Sequence, residues 1–414
     1  MTKKTTWIDL TDFTIWRGSH TGTQRVVYQI TRYIKDNENV RFCSFNYLTQ
    51  VYSEVSFDVV FKKDSSISTS TKSNKFEGKV TLKKAYSLFA PPIASRVIEK
   101  IRDKQKLAHK GNKQDLRIEA GFNKSDTLLV LGGNWDKPGF IDALEAVNKQ
   151  NIAIVHNIND LIPIFDKGHV SSDEHVRYEQ YMKRAIKLSS KLIAISEYTK
   201  KDIQKYCKLK NIKCPKVYVI RLGDNPVGGD SKKPVQAPEN YILSVSTIEV
   251  RKNHALLYYA YKEANKQGIV LPKLVLAGRR GWLTGDLQYM LTHDPEIKGK
   301  IEIIEGPSDQ ELAWLYENCL FTVYPSFYEG WGLPVAESIQ YRKACLATSS
   351  TSVPEIAGEL IDYFSPFDPL GCLRGITTLL EKKYRLSQEK NLKKGYRLTS
   401  WEDTANELVK KLLI

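Results

Sequence analysis

Short, near-continuous apolar runs recur along the chain, separated by stretches whose apolar positions return at helical spacing. Thr127-Leu-Leu-Val-Leu-Gly-Gly133, Ile152-Ala-Ile-Val-His156, Lys191-Leu-Ile-Ala-Ile-Ser196 and Val217-Tyr-Val-Ile220 read as strands apolar on both faces. Helical patterns over residues 140–150 and 173–188 lie between them, and Ser196 is placed to cap a further helix. Strands buried on both sides and alternating with helices predict βαβ units and a parallel sheet. Trp7-Ile-Asp-Leu10 predicts a first short strand, residues 24–35 a helix with Val26, Val27, Ile30 and Ile34 on one face, and residues 40–61 two further strands. Pro, Gly and charge cluster at residues 224–238, as in an interdomain linker. The alternation then restarts with strands at Tyr241, Lys273, Ile301, Cys319, Cys345 and Asp362, and with helices over 253–267 and 334–343. Ser308-Asp-Gln-Glu311 opens a helix as a capping box, and residues 400–413 form an amphipathic helix. The fold class is α/β, with two Rossmann-like halves facing a cleft.

Composition narrows this picture. The 414 residues suit two domains, and a hydrophobic content of 42% suffices for two cores. A net charge of +15 fits an anionic partner, whether a phosphorylated substrate, an acidic membrane surface or nucleic acid. Nucleic acid is the weakest of these, because no basic motif interleaved with aromatic residues is present. Six cysteines without a CxxC pair argue against a disulfide framework or a zinc site and favour a reducing compartment. Residues 62–84 are rich in Ser, Thr and Lys and read as a loose loop. From Ala85 to Arg117 apolar residues alternate with cations, so that region 62–117 is a candidate for peripheral contact with an anionic membrane face. No apolar run long enough to span a membrane occurs, and the expected location is cytoplasmic.

The candidate chemistry gathers at strand ends, where parallel sheets bind ligands. Glycines in the loop from Arg17 to Gly22 permit close approach of a ligand to the first helix. Arg251 and Lys252 stand before a helix and can neutralise a diphosphate, the Arg as a fork and the Lys as a point charge. Arg279 follows another strand within Ala277-Gly-Arg-Arg-Gly-Trp282. The densest stretch is Glu329-Gly-Trp-Gly-Leu-Pro-Val-Ala-Glu337, between a strand and a helix that begins near Pro334. Free amides and the positive helix end there suit a phosphate, which leaves Glu329 and Glu337 for hydroxyl groups. The ligand that fits this combination is a nucleotide sugar.

These stretches resemble the retaining family-4 glycosyltransferases of the GT-B fold. Glu249-Val-Arg-Lys-Asn-His254, Leu274-Val-Leu-Ala-Gly-Arg-Arg-Gly-Trp282, the glutamates Glu329 and Glu337 with seven residues between them, and Val353-Pro-Glu-Ile-Ala-Gly358 carry the likeness. Thr21-Gly-Thr-Gln-Arg-Val-Val27, Asn159-Asp-Leu-Ile-Pro163 and Ala194-Ile-Ser-Glu-Tyr-Thr-Lys200 look like members that build bacterial surface polysaccharides with mannose or rhamnose. The resemblance implies an acceptor-binding domain over 1–228, joined by a C-terminal helix at 398–414 that crosses back to it, and a donor-binding domain over 236–397. It also implies that Arg251, Lys252 and Arg279 bind the donor phosphates and that Gly22, Gly330, Trp331, Gly332 and Leu333 approach the donor. Glu337 would hold the ribose and Glu329 the transferred hexose. Where the family has His-Asp this chain has Asn159-Asp160, so the catalytic candidates are Glu329, Asp160 and either Asn159 or the earlier His156. The implied reaction is metal-independent hexosyl transfer with retention and without a cofactor. GDP-mannose is the first donor expected, and the acceptor is a glycan or a lipid-linked sugar. An epimerase or hydrolase of the same fold is the competing class.

Overall fold

The computed structural model describes residues 4–15, 22–62, 116–224 and 230–412. The loop before Gly22, most of the basic region 62–117 and part of the linker lie outside the described residues. The first sheet has eight strands: β1 (Thr6–Asp9), β2 (Val40–Asn46), β3 (Val51–Val55), β4 (Arg117–Ile118), β5 (Thr127–Val130), β6 (Ala153–Ile158), β7 (Ser189–Ala194) and β8 (Lys216–Val219). Their order is β4-β3-β2-β1-β5-β6-β7-β8, parallel throughout except for the β2–β3 pair. Ile8 sits opposite both Phe42 and Leu129, which fixes β1 at the centre. The second sheet has six parallel strands: β9 (Tyr241–Val245), β10 (Lys273–Gly278), β11 (Ile301–Glu305), β12 (Thr322–Tyr324), β13 (Cys345–Thr348) and β14 (Asp362–Phe364). Its order, β11-β10-β9-β12-β13-β14, reverses direction between β9 and β12. In doubly wound sheets that reversal opens a crevice at the carboxyl ends of the two strands, where ligands bind.

Local chemistry explains the elements. Ser196 accepts a hydrogen bond from the Thr199 N–H and starts the helix Glu197–Leu209, and Ser308 with Glu311 closes a complete capping box. The expected strands over 40–61 are corrected in part. Two strands form, but the chain then turns into the short helix Phe57–Lys62, in which Phe57 and Phe61 lie 4.5 Å apart between ring centroids. A helix puts positions four apart on one face, so these rings meet only if strand pairing stops before them.

Trp401–Leu412 packs on the helix Gly22–Ile34 of the first sheet unit. Trp401, Ala405, Leu408 and Leu412 join Val26, Val27, Ile30 and Ile34 in one core, which also takes in Trp331, Val335 and Ile339 from the second unit. The Thr404 hydroxyl donates to the Arg221 carbonyl at 2.8 Å, and Lys411 to the Val219 carbonyl at 2.9 Å. Among the described residues no helix is long and apolar enough to cross a membrane.

Candidate active site

After β9 the chain makes a turn of 3-10 helix, Val250–Lys252, and Asn253 takes a left-handed conformation at φ 57°. Its side-chain amide donates to the carbonyls of Pro325 (3.0 Å) and Pro366 (2.8 Å), so that the β9 loop is tied to the β12 loop. Arg251 and Lys252 thereby face Glu329, the position reached across the sheet's reversal. Lys252 donates to Glu329 Oε1 at 2.6 Å, and Arg251 Nη1 lies 3.1 Å from the same oxygen. Ser326 and Tyr324 also donate to it, at 2.5 and 2.8 Å. Burial pushes the Glu329 carboxyl up, but Lys252, Arg251 and the hydrogen bonds outweigh it and hold the group at about 2. Burial, and then Arg251, press the Lys252 ammonium below its ordinary value. The result is a buried cationic pair held by two carboxylates, Glu329 on both cations and Glu249 on Arg251 at 2.5 Å, ready to exchange part of that contact for an anion.

Gly332, at φ 113°, turns the β12 loop into the helix Leu333–Gln340, with Pro334 in its first turn. Glu337 receives the Tyr316 hydroxyl at 2.8 Å on one oxygen and pairs with Arg25 on the other. The Tyr316 ring stacks on Tyr341 with centroids 5.1 Å apart. Leu333 faces Gly22 of the first unit, where a Cβ would stand 3.8 Å from Leu333 Cδ1. The Trp331 ring is buried in the core shared by the two units, with the Arg221 guanidinium over its face at 5.2 Å. Arg279 is exposed past the end of β10, and its carbonyl accepts from the Ile248 N–H at 2.8 Å.

The first unit supplies the opposite wall. Asn159 and Asp160 follow β6, with the Asn157 amide 2.8 Å from Asn159 Oδ1 and the Ile162 N–H 3.0 Å from Asp160 Oδ1. Burial raises the Asp160 carboxyl, and Arg251 opposes that rise most strongly. Gly330 lies so close that a Cβ there would overlap the Asn159 carbonyl oxygen. His156 lies within β6, is 1% exposed, and is held neutral by burial at about 4. Asp160, Arg251 and Glu329 are thus brought to one place, with His156 beside them on the lining of a cavity that also includes Asn159 and Arg251.

Several partners have no signal of their own in the sequence. Arg25 sits 312 residues before Glu337. Tyr328 bonds Asp202 across the cleft, and the Glu355 carboxylate receives the N–H groups of Glu197 and Tyr198, each at 2.7 Å.

Two parallel doubly wound sheets that face each other, with a cation–carboxylate centre at the second sheet's switch point and a C-terminal helix returning to the first unit, define the GT-B class. Residues 230–396 match the family described as Glycosyl transferases group 1. O-antigen chain mannosyltransferase B of Escherichia coli is 27% identical over 208 residues, 48% of this chain and 54% of that protein. The serotype-specific mannosyltransferase WbdA of Escherichia coli is 28% identical over 172 residues, 42% of this chain and 21% of that protein. The O-antigen chain mannosyltransferase RfbU of Salmonella typhimurium is 25% identical over 212 residues, 51% of this chain and 56% of that protein. These matches therefore span about half or less of each relative's length. Among solved structures, Anabaena HepE in complex with UDP and glucose superposes with a TM-score of 0.61 at 14% identity and 99% coverage of both chains. A sucrose-phosphate synthase from Thermosynechococcus elongatus gives 0.61 at 15% identity, again with 99% coverage of both. The chain has the GT-B fold, its second unit is similar to the group 1 glycosyl transferases, and its sequence relatives include proteins named for O-antigen synthesis.

Proposed function

We propose that this protein transfers a hexose, mannose first among the candidates, from a nucleoside-diphosphate sugar to a glycan or lipid-linked acceptor in surface-polysaccharide synthesis. The observation that carries this reading is the Arg251–Lys252–Glu329 centre facing Asp160 across the cleft. As the bond from the sugar's anomeric carbon to the diphosphate breaks, charge develops on the leaving phosphate, and Arg251 and Lys252 stand ready to take it. Their charge makes a metal unnecessary for that role. Glu329, once released in part by the phosphate, is free to accept from sugar hydroxyls. Glu337, held by Arg25 and Tyr316, is preset for a ribose. Retention follows if the acceptor oxygen attacks from the departing face while the leaving phosphate takes its proton. The basic region 62–117 would bring the enzyme to the inner leaflet, where lipid-linked acceptors lie.

A thermal-shift screen of nucleoside diphosphates and their sugars tests the donor. Saturation at 100 times the dissociation constant should stabilise the chain by about 2.7 kcal/mol. No shift with any of them would sink the proposal, as would an inverted anomer in the transfer product or loss of activity in EDTA for the corresponding finer parts. Turnover of the donor without acceptor would move the chain to the epimerase or hydrolase class.

A further inference from the structure

At the carboxyl end of β1, behind the first unit's wall of the cleft, lies a carboxyl group that the proposed reaction does not use. Asp9 is 1% exposed and collects donors from three elements. Its Oδ1 accepts from the Thr11 N–H at 3.2 Å and from Asn134 Nδ2 at 2.8 Å. Its Oδ2 accepts from the Thr11 hydroxyl at 2.9 Å and from the Tyr52 hydroxyl of β3. Among the described residues it forms no ion pair. The titratable groups that face it are Tyr52, Cys43 of β2, Tyr181 of the helix Ser172–Leu188, and Asp12, whose charge opposes its ionisation. Asp12 in turn feels Lys137 and Asp136. Its Oδ2 accepts from the Gly133 N–H at 2.7 Å, and a Cβ on Gly132 would overlap it. The two acids therefore hold the loop that follows β5. Asn134 Oδ1 is buried without a partner among the described residues, so that side chain is held through Asp9. The other side of the same loop belongs to the cleft, where Gly132, Gly133 and Trp135 line the cavity. The loop stands between Asp9 and the cleft.

We infer that Asp9 is a protonation-dependent latch on the cleft wall: as a neutral acid it holds residues 132–136 against the end of β1, and as a carboxylate it draws in water and lets that loop loosen. The inference goes beyond the transfer reaction and does not depend on it. A carboxylate removed from water and from any cation is strongly disfavoured, whereas the neutral acid is not. Burial accordingly pushes the Asp9 acid up to about 7, against the hydrogen bonds of Tyr52 and Thr11. Displacing the loop lets water reach the group and returns it toward its ordinary 3.8. The closed loop thus binds the proton more tightly than the open one. Its hold is complete below the open-form value, weakens as pH rises toward about 7, and changes no further once both forms are ionised.

Hydrogen–deuterium exchange with mass spectrometry on the full chain tests the latch between about pH 5 and about pH 8.5, each rate being divided by the intrinsic rate at that pH. In peptides spanning 132–136, opening should increase by up to about tenfold per pH unit until about 7 and then level off. Asp9→Asn keeps an acceptor for Thr11 and Asn134 and offers an N–H to Tyr52. This variant should stay protected and lose most of the pH dependence, Asp12 supplying what remains. Tyr52→Phe removes a hydrogen bond that favours the carboxylate, so the levelling-off should move to higher pH. Loss of packing alone would not move it, and this second variant decides the matter if Asp9→Asn does not fold. Protection independent of pH in the unaltered chain would overturn the inference. So would an unchanged dependence in Asp9→Asn, an unmoved levelling-off in Tyr52→Phe, or an increase shared equally by peptides of the second sheet.

Discussion

Glu329 joins a stabilising role to the chemistry proposed for the site. Its carboxylate is buried and receives Lys252, Arg251, Ser326 and Tyr324. Because its folded pKa, about 2, lies below the ordinary 4.5, it adds stability that is complete above 4.5 and is lost as pH falls toward 2. The span corresponds to roughly 3 kcal/mol. Glu329→Gln should lower unfolding stability at pH 7 by an amount of that order and should flatten the acid limb between pH 4.5 and 2, as measured by urea unfolding across pH. The variant keeps Arg251 and Lys252, so nucleoside diphosphates should still give a thermal shift while sugar transfer falls. Loss of nucleotide binding together with transfer would contradict the division of roles. The residue types and spacings of this centre were legible in the sequence, since two cations before a helix and two glutamates around a glycine turn have few other uses. The Arg25–Glu337 pair was not, because Arg25 occupies an ordinary helical position and its partner is chosen only by the closing of the two units.

At the level of elements, most strands and helices follow from apolar periodicity and caps, and Ser196 and Ser308 act as the sequence predicts. What periodicity does not reveal is a cap supplied from elsewhere. The first turn of Glu197–Leu209 is held by its own Ser196 and also by Glu355, which belongs to the second unit and accepts from two N–H groups. A carboxylate at a helix N-terminus is favoured by both the free donors and the helix dipole. Here it also joins the units beside the cleft. Glu355→Ala should cost about 1 kcal/mol in unfolding stability. It should also increase the radius of gyration of the unliganded chain in small-angle scattering, and nucleotide should partly reverse that increase. An unchanged scattering curve would show that the other contacts across the cleft suffice. Phe57–Lys62 marks the reverse failure of sequence reading. Its alternation suits a strand, but contact between Phe57 and Phe61 requires a helix.

For the whole molecule, the fit between the two units is the property on which the site depends. Gly330 lies against the Asn159 carbonyl with no room for a side chain, so Gly330→Ala must push the β12 loop away from the loop after β6. Such a variant should bind nucleoside diphosphate within about twofold of the unaltered chain, because Arg251 and Lys252 remain in place. Its transfer rate should fall by about a hundredfold, the order expected for a displacement near 1 Å between reacting groups. Single-turnover kinetics beside nucleotide titration would separate the two effects, and an unimpaired rate would refute the need for this close approach. The sequence by itself determined the two α/β units, the C-terminal amphipathic helix and the cations and glutamates that gather at the strand ends of the second unit. These depend on periodicity, caps and short spacings, which act over a few residues. Only the tertiary structure decided that Arg25 pairs with Glu337, that Glu355 caps a helix of the other unit, and that His156 lines a cavity with Trp135 and Trp282. Those pairings join positions far apart in the chain. They exist because two hydrophobic surfaces close on each other and leave buried polar groups to find partners across the interface.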